Sequence, residues 1–123
     1  MSRYPGLTLR VMGAGRPAFG PGKAALIERI ESTGSISSAA RALGMSYRRA
    51  WQLVEALNQS FAKPVVVTAI GGNRGGGAVV TAFGKHLVKS YRAMEGKASA
   101  AVATDLRRFS RGLRKPPGRY DSR

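Results

Sequence analysis

At 123 residues the chain has room for one domain with one modest core and, beyond that, a tail or a dimerisation element, so a second catalytic domain is excluded. Its 21 basic and 6 acidic residues give a formal charge of +15, which points to a polyanionic partner, nucleic acid ahead of an acidic membrane surface. The absence of cysteine removes disulfides and thiolate metal sites. No run of about 18 apolar residues is present to span a membrane, and the N-terminus lacks a signal-peptide core, so a cytoplasmic location is expected.

In chain order, Leu7, Leu9 and Val11 alternate with Thr8, Arg10 and Met12, the period of a short strand. Gly13 to Arg16 turn it, and Ala18 and Phe19 form the return strand of an N-terminal β-hairpin. Pro21 stands where helices commonly begin, and a first helix is predicted over Lys23 to Ser32, with Leu26, Ile27 and Ile30 as its apolar face. Glu28 and Glu31 on that helix read as solvated charge partly balancing Arg29.

The segment from Ser35 to Phe61 reads as two helices around a tight turn at Gly44. Ser35 caps the first, whose apolar stripe is Ile36, Ala39, Ala40 and Leu43, and Ser46 caps the second. In the second, Ala50, Leu53, Val54, Leu57 and Phe61 form the inner stripe, and Arg48, Gln52, Glu55 and Gln59 point the other way. This is the pattern of a helix-turn-helix whose second helix enters the DNA major groove.

After Phe61 the pattern becomes extended. Val65, Val66, Val67, Thr68 and Ile70, then Ala78 to Val80, predict a hairpin with a glycine-rich tip carrying Arg74. Thr81 caps a further helix with Phe83, Leu87, Val88, Tyr91 and Met94 on one face. The fold class is therefore mostly α with small β: a winged helix-turn-helix with an N-terminal β-hairpin and a C-terminal dimerisation helix. From Leu87 the apolar positions continue at Tyr91, Met94, Ala98, Val102, Leu106 and Phe109, although Gly96 weakens a continuous helix. That seam exceeds what a small core needs and suggests a homodimer contact. The chain divides into a winged helix-turn-helix domain over 1–95, a helical extension over 96–110 and a basic disordered tail over 111–123.

Arg48 and Arg49 have a plain alternative as solvated surface, but their place in the first turn after a glycine turn favours DNA contact. Trp51 is expected to pack against a neighbouring helix, and Gln52 is suited to read adenine through two hydrogen bonds. The glycine-rich tip lacks the Gly-Lys-Ser/Thr ending of a nucleotide-phosphate loop. His86, the single histidine, has no ligand or triad partner at suitable spacing, and no nucleophile has an evident base, so no catalytic, cofactor or metal site is expected.

The run STGSISSAARALGMSYRRAWQLVEALNQSF, followed by KPVV, GGNRGGGA and TAFG, resembles the N-terminal winged-helix domain of the molybdate-responsive ModE-type transcriptional regulators and, more distantly, that of LysR-type regulators. The resemblance covers roughly Leu7 to Met94. It implies a dimer binding double-stranded operator DNA, with contacts falling on Ser46, Tyr47, Arg48, Arg49 and Gln52 of the recognition helix and on Arg74 of the wing; the residues themselves add Lys63 as a phosphate contact. Regulators of this type sense molybdate through further small β domains, for which these 123 residues leave no room, so no molybdate site is expected. The expected function is a sequence-specific transcriptional regulator on a palindromic operator. The alternatives are an architectural DNA binder with weak sequence preference and, ranked lower, an RNA-binding accessory protein.

Overall fold

The computed structural model describes residues 3–69 and 77–115. Two strands, β1 (Val11–Gly13) and β2 (Arg16–Phe19), precede three helices, α1 (Pro21–Thr33), α2 (Ile36–Leu43) and α3 (Tyr47–Ser60). A second hairpin, β3 (Val66–Ala69) with β4 (Gly77–Val80), then leads into α4 (Ala82–Ser110). Helix-turn-helix followed by an antiparallel hairpin is the winged-helix arrangement, and the mostly helical fold with small β content matches the expectation.

The hairpin at the N-terminus is shorter than its alternation suggests. Ladder pairing begins only at Val11, and the register slips between Val11 and Met12. Upstream, the Leu9 carbonyl instead accepts a 2.7 Å hydrogen bond from the Tyr91 hydroxyl, so this backbone is spent on α4 rather than on a strand partner. The turn is Ala14–Gly15, both with positive φ (51° and 79°), as a two-residue hairpin loop requires.

Helix α1 starts with Pro21 in its first turn and stops at Gly34, which is left-handed and returns its N–H to the Ile30 carbonyl. Its Leu26, Ile27 and Ile30 are fully buried and meet Ala39, Ala40, Ala50, Val54, Leu57, Val66 and Val80 in one core. An aromatic chain closes the core towards the N-terminal hairpin and α4: the Phe83 ring lies 6.1 Å from Phe61, Phe61 6.1 Å from Phe19, and Phe19 5.0 Å from Tyr91.

The wing is tied in at its base from three sides. Asn58 of α3 accepts from the Val65 and Val66 N–H groups at 2.8 and 3.3 Å and donates to the Val66 carbonyl at 2.9 Å. The Ala78 N–H reaches the Gly34 carbonyl at the end of α1, 2.9 Å. Thr81 caps α4 through the Gly84 N–H and donates its hydroxyl to the Pro64 carbonyl at 2.7 Å. The expected tip, with Ile70 and Arg74, lies outside the described residues.

Helix α4 runs 29 residues without a break at Gly96. A Cβ there would stand 3.2 Å from the Tyr4 hydroxyl, so this glycine gives clearance for the N-terminal segment, which also reaches Leu106 through Gly6. The expected division at 95/96 falls inside this helix. Ser110 closes the helix and hydrogen bonds continue the turn through Leu113; most of the expected basic tail, residues 116–123, lies outside the described part.

Two readings of α4 and α1 need correction. Met94, expected on the Tyr91 face, is 43% exposed, and the inward position is taken by Glu95, 3% exposed. Four residues beyond Tyr91 continue the buried row more closely than three, because a fourth step overshoots one turn by only about 40°. Glu28, half-buried, is ion-paired and not simply a solvated charge. It receives Arg92 at 2.8 Å and Arg3 at 3.3 Å, while Arg92 also bonds Glu95 at 2.8 Å. These hydrogen bonds, Arg92's foremost, hold the Glu28 carboxyl below the usual carboxylate range and raise Arg92.

Candidate nucleic-acid interface

The geometry of α3 is set at its first turn. Gly44 takes a left-handed conformation (φ 69°), and the Met45 N–H returns to the Ala40 carbonyl at 3.0 Å, closing the end of α2. Ser46, in extended backbone, accepts the Arg49 N–H on its hydroxyl at 3.0 Å and starts α3. A glycine stop and a serine cap one residue apart leave only Met45 between them, which makes the turn between the two helices tight.

With Ala50, Val54 and Leu57 buried, the opposite face of α3 presents Arg48, Gln52, Glu55 and Gln59 to solvent. Tyr47 is 53% exposed and lies edge-on to Trp51, their ring centroids 6.2 Å apart; Trp51 itself packs against the core, as its position suggests. The first turn carries no acidic residue. The structure thus brings together Ser46, Tyr47, Arg48, Arg49 and Gln52 at one end of α3. Ser46 has a structural duty there as well, since its hydroxyl is engaged in the cap.

Lys63 lies elsewhere. It follows the C-terminal end of α3, roughly 20 Å along the axis from the first turn by helix rise, with its ammonium 6.0 Å from the Phe83 ring centroid. Arg74 is outside the described residues.

Two basic residues not singled out from the sequence stand beside the recognition helix. Lys23, in the first turn of α1, donates to the Ala18 carbonyl at 3.2 Å. Burial and then the Arg49 charge push its ammonium pKa down, placing the two cations in each other's field. Arg10 lies next to Gly20, its guanidinium 3.3 Å from where a Cβ would stand. Neither lies on the helix-turn-helix itself, and a search confined to recognition-helix spacing passes over them. Asn58 was legible in principle, because it falls four residues after Val54 in an otherwise apolar row.

Among the described residues no cluster of three or more His, Asp or Glu side chains suited to a metal ion is found, and no helix is long and apolar enough to cross a membrane.

No protein-family model matches the chain. It is 44% identical over 112 residues to the molybdenum-pterin-binding protein MopB of Rhodobacter capsulatus, covering 91% of this chain and 39% of that protein. It is 41% identical over 70 residues to the molybdenum transport protein ModE of Azotobacter vinelandii, covering 57% and 26%. Identity to the DNA-binding transcriptional dual regulator ModE of Escherichia coli K12 is 39% over 71 residues, covering 58% and 27%. These relatives are binding and regulatory proteins, and the chain spans less than two fifths of the length of each. The chain is thus a winged-helix homologue of ModE-type regulators and of the molybdenum-pterin-binding proteins.

Proposed function

We propose that this chain is the DNA-binding unit of a transcriptional regulator, with α3 as the recognition helix. The observation that carries the reading is the capped first turn of α3, where Tyr47, Arg48, Arg49 and Gln52 stand exposed on a face free of acidic residues until Glu55. Arg48 and Gln52 are one turn apart on the outer face; Arg48 offers paired donors to a guanine edge and Gln52 a donor and an acceptor to an adenine edge. Arg49, Lys63 and Arg74 serve the phosphate backbone, and a charge of +15 supplies the long-range attraction.

The chain acts as a homodimer through the outer face of α4, where Met94 and Phe109 are exposed. Two-fold symmetry then places two recognition helices on a palindromic operator, with half-sites about 34 Å or a multiple of it apart. The units in this reading are the winged domain over 1–95, the helical extension over 96–110 and the basic tail over 111–123. The molybdenum-pterin binding in the name of MopB belongs to a protein of which the match covers 39%, and no residue of this chain is assigned to it.

Selection of bound fragments from sheared genomic DNA of the source, with the purified chain at near-physiological salt, tests the proposal. Enrichment of a few palindromic sites is expected. Even recovery across the genome would favour the architectural alternative. Arg48→Ala and Gln52→Ala should each weaken specific binding by about 1–3 kcal/mol and leave nonspecific binding largely intact, as read by competition titrations.

A further inference from the structure

A cleft of about 570 Å³ opens between the N-terminal hairpin, the start of α1 and the flank of α3. Its charged lining consists of Arg10, Lys23 and Arg49, joined by the polar Gln52, and no acidic side chain lines it. Among the described residues neither Arg10 nor Arg49 has an ion pair. Three cations, from the residue before β1, from α1 and from α3, converge without a counter-charge, and burial first and the Arg49 charge second depress the Lys23 ammonium. An anion between them offsets the like charges that face one another across the cleft.

Apolar side chains, Pro17, Phe19, Met45 and Leu53 among them, share the lining with these cations. A free inorganic oxyanion has no use for such apolar walls. A nucleic-acid strand does, because each phosphate is flanked by the carbon face of its sugar. The cleft also shares Arg49 and Gln52 with the recognition helix, so an occupant lies beside whatever α3 reads.

We propose that this cleft is a second phosphate-binding site, in which Arg10 and Lys23 join Arg49 to hold a backbone phosphate of the DNA strand bordering the groove that α3 enters. The assignment rests on the DNA-binding reading above. It gives the N-terminal hairpin a function outside the helix-turn-helix: it is one jaw of a clamp whose other jaw is the recognition helix.

Gly22 supplies a clean probe. It lines the cleft in the first turn of α1, and a Cβ there would meet nothing within 4 Å. An aspartate at that position favours the helix electrostatically while placing a negative charge among the three cations. The experiment measures fluorescence anisotropy of a duplex carrying a selected site, from 50 to about 200 mM KCl, for the full chain, Gly22→Asp, Arg10→Gln and the charge-matched control Arg29→Gln, which lies on α1 outside the cleft. Thermal melts verify that each variant is folded.

Gly22→Asp and Arg10→Gln are expected to bind about tenfold more weakly than the wild type, with the slope of log K against log salt shallower by about one, while Arg29→Gln changes little. A wild-type chain that binds the duplex together with cleft variants that match Arg29→Gln would overturn the clamp and leave the DNA-binding reading standing. A wild type that binds no duplex overturns both. In a second arm, millimolar inorganic phosphate is added to the melts. Stabilisation that Gly22→Asp abolishes, combined with unchanged duplex slopes, would identify a free-oxyanion site and overturn the assignment to DNA.

Discussion

Asn58 holds the first residues of the wing to the recognition helix with both ends of its amide. Replacing it with alanine strands the Val65 N–H, and Val65 is wholly buried. Asn58→Ala is therefore expected to cost about 2–3 kcal/mol in denaturant unfolding. Tyr91 is another single contact with global reach, its hydroxyl on the Leu9 carbonyl. Burial, and then the Glu95 charge, push its pKa up to about 12. A folded-state pKa above the unfolded value near 10 means that its contribution is fully present below pH ~10 and is lost as pH rises through the folded value. Stability should fall by about 2 kcal/mol across that window. Tyr91→Phe should remove this alkaline slope while costing about 1 kcal/mol at neutral pH; urea titrations at several pH values check both. The inward position of each was legible, but its bonding partner was not, because hydrophobic spacing marks which residues go inside and is silent on which backbone group a polar tip will find. The caps were legible for the opposite reason: Ser35, Ser46 and Thr81 bond N–H groups three residues away, a distance contained in the local sequence.

Among the elements, α3 and its turn follow from the sequence almost residue for residue, since glycine stop, serine cap and a stripe of period 3.6 are all local signals. The first hairpin was less legible. Its strands are three and four residues long, and the competing pull of α4 on Leu9 is a contact across 82 positions. Helix α4 was read with its inner face slightly turned, because Glu95 is charged and a charged residue is not expected inside unless its partner, Arg92, is already known to lie there. The start of α4 depends on a missing side chain. At Gly84 a Cβ would stand 2.5 Å from the Val65 carbonyl oxygen and 2.9 Å from Val80. Gly84→Ala must therefore push α4 away from the wing base, with an expected loss of about 1–3 kcal/mol. Thermal unfolding reads the loss, and amide exchange of Val65 and Val66 should accelerate with it.

At the scale of the molecule, three of the six acids gather in one place. Glu28 and Glu31 on α1 and Glu95 on α4 are engaged with Arg3, Arg92 and Lys85, on the side where these two helices meet. Among the described residues the N-terminal hairpin and the first turn of α3 have no ion pairs, so the net charge legible from composition resolves into a direction that composition cannot give. The candidate interface was correspondingly half legible: the α3 residues came from spacing, whereas Arg10 and Lys23 depend on how the hairpin folds back. Dimerisation belongs to this scale as well. Sedimentation equilibrium at micromolar concentration should report twice the monomer mass, and Phe109, 74% exposed, is the side chain whose change to Asp should return the monomer. A single-chain mass for the wild type would count against the pairing through α4.

The unbroken course of α4 has a mechanical consequence. Its 29 residues make a rod about 43 Å long, seated at one end against the wing base with almost no slack at Gly84. The same rod is held again along its length, by Tyr91 on the Leu9 carbonyl, by Arg92 on Glu28 and by the N-terminal segment beside Gly96 and Leu106. Wing base, first helix and N-terminal segment are therefore all referred to one stiff axis, and none of the three can shift against the others without loosening its hold on that axis.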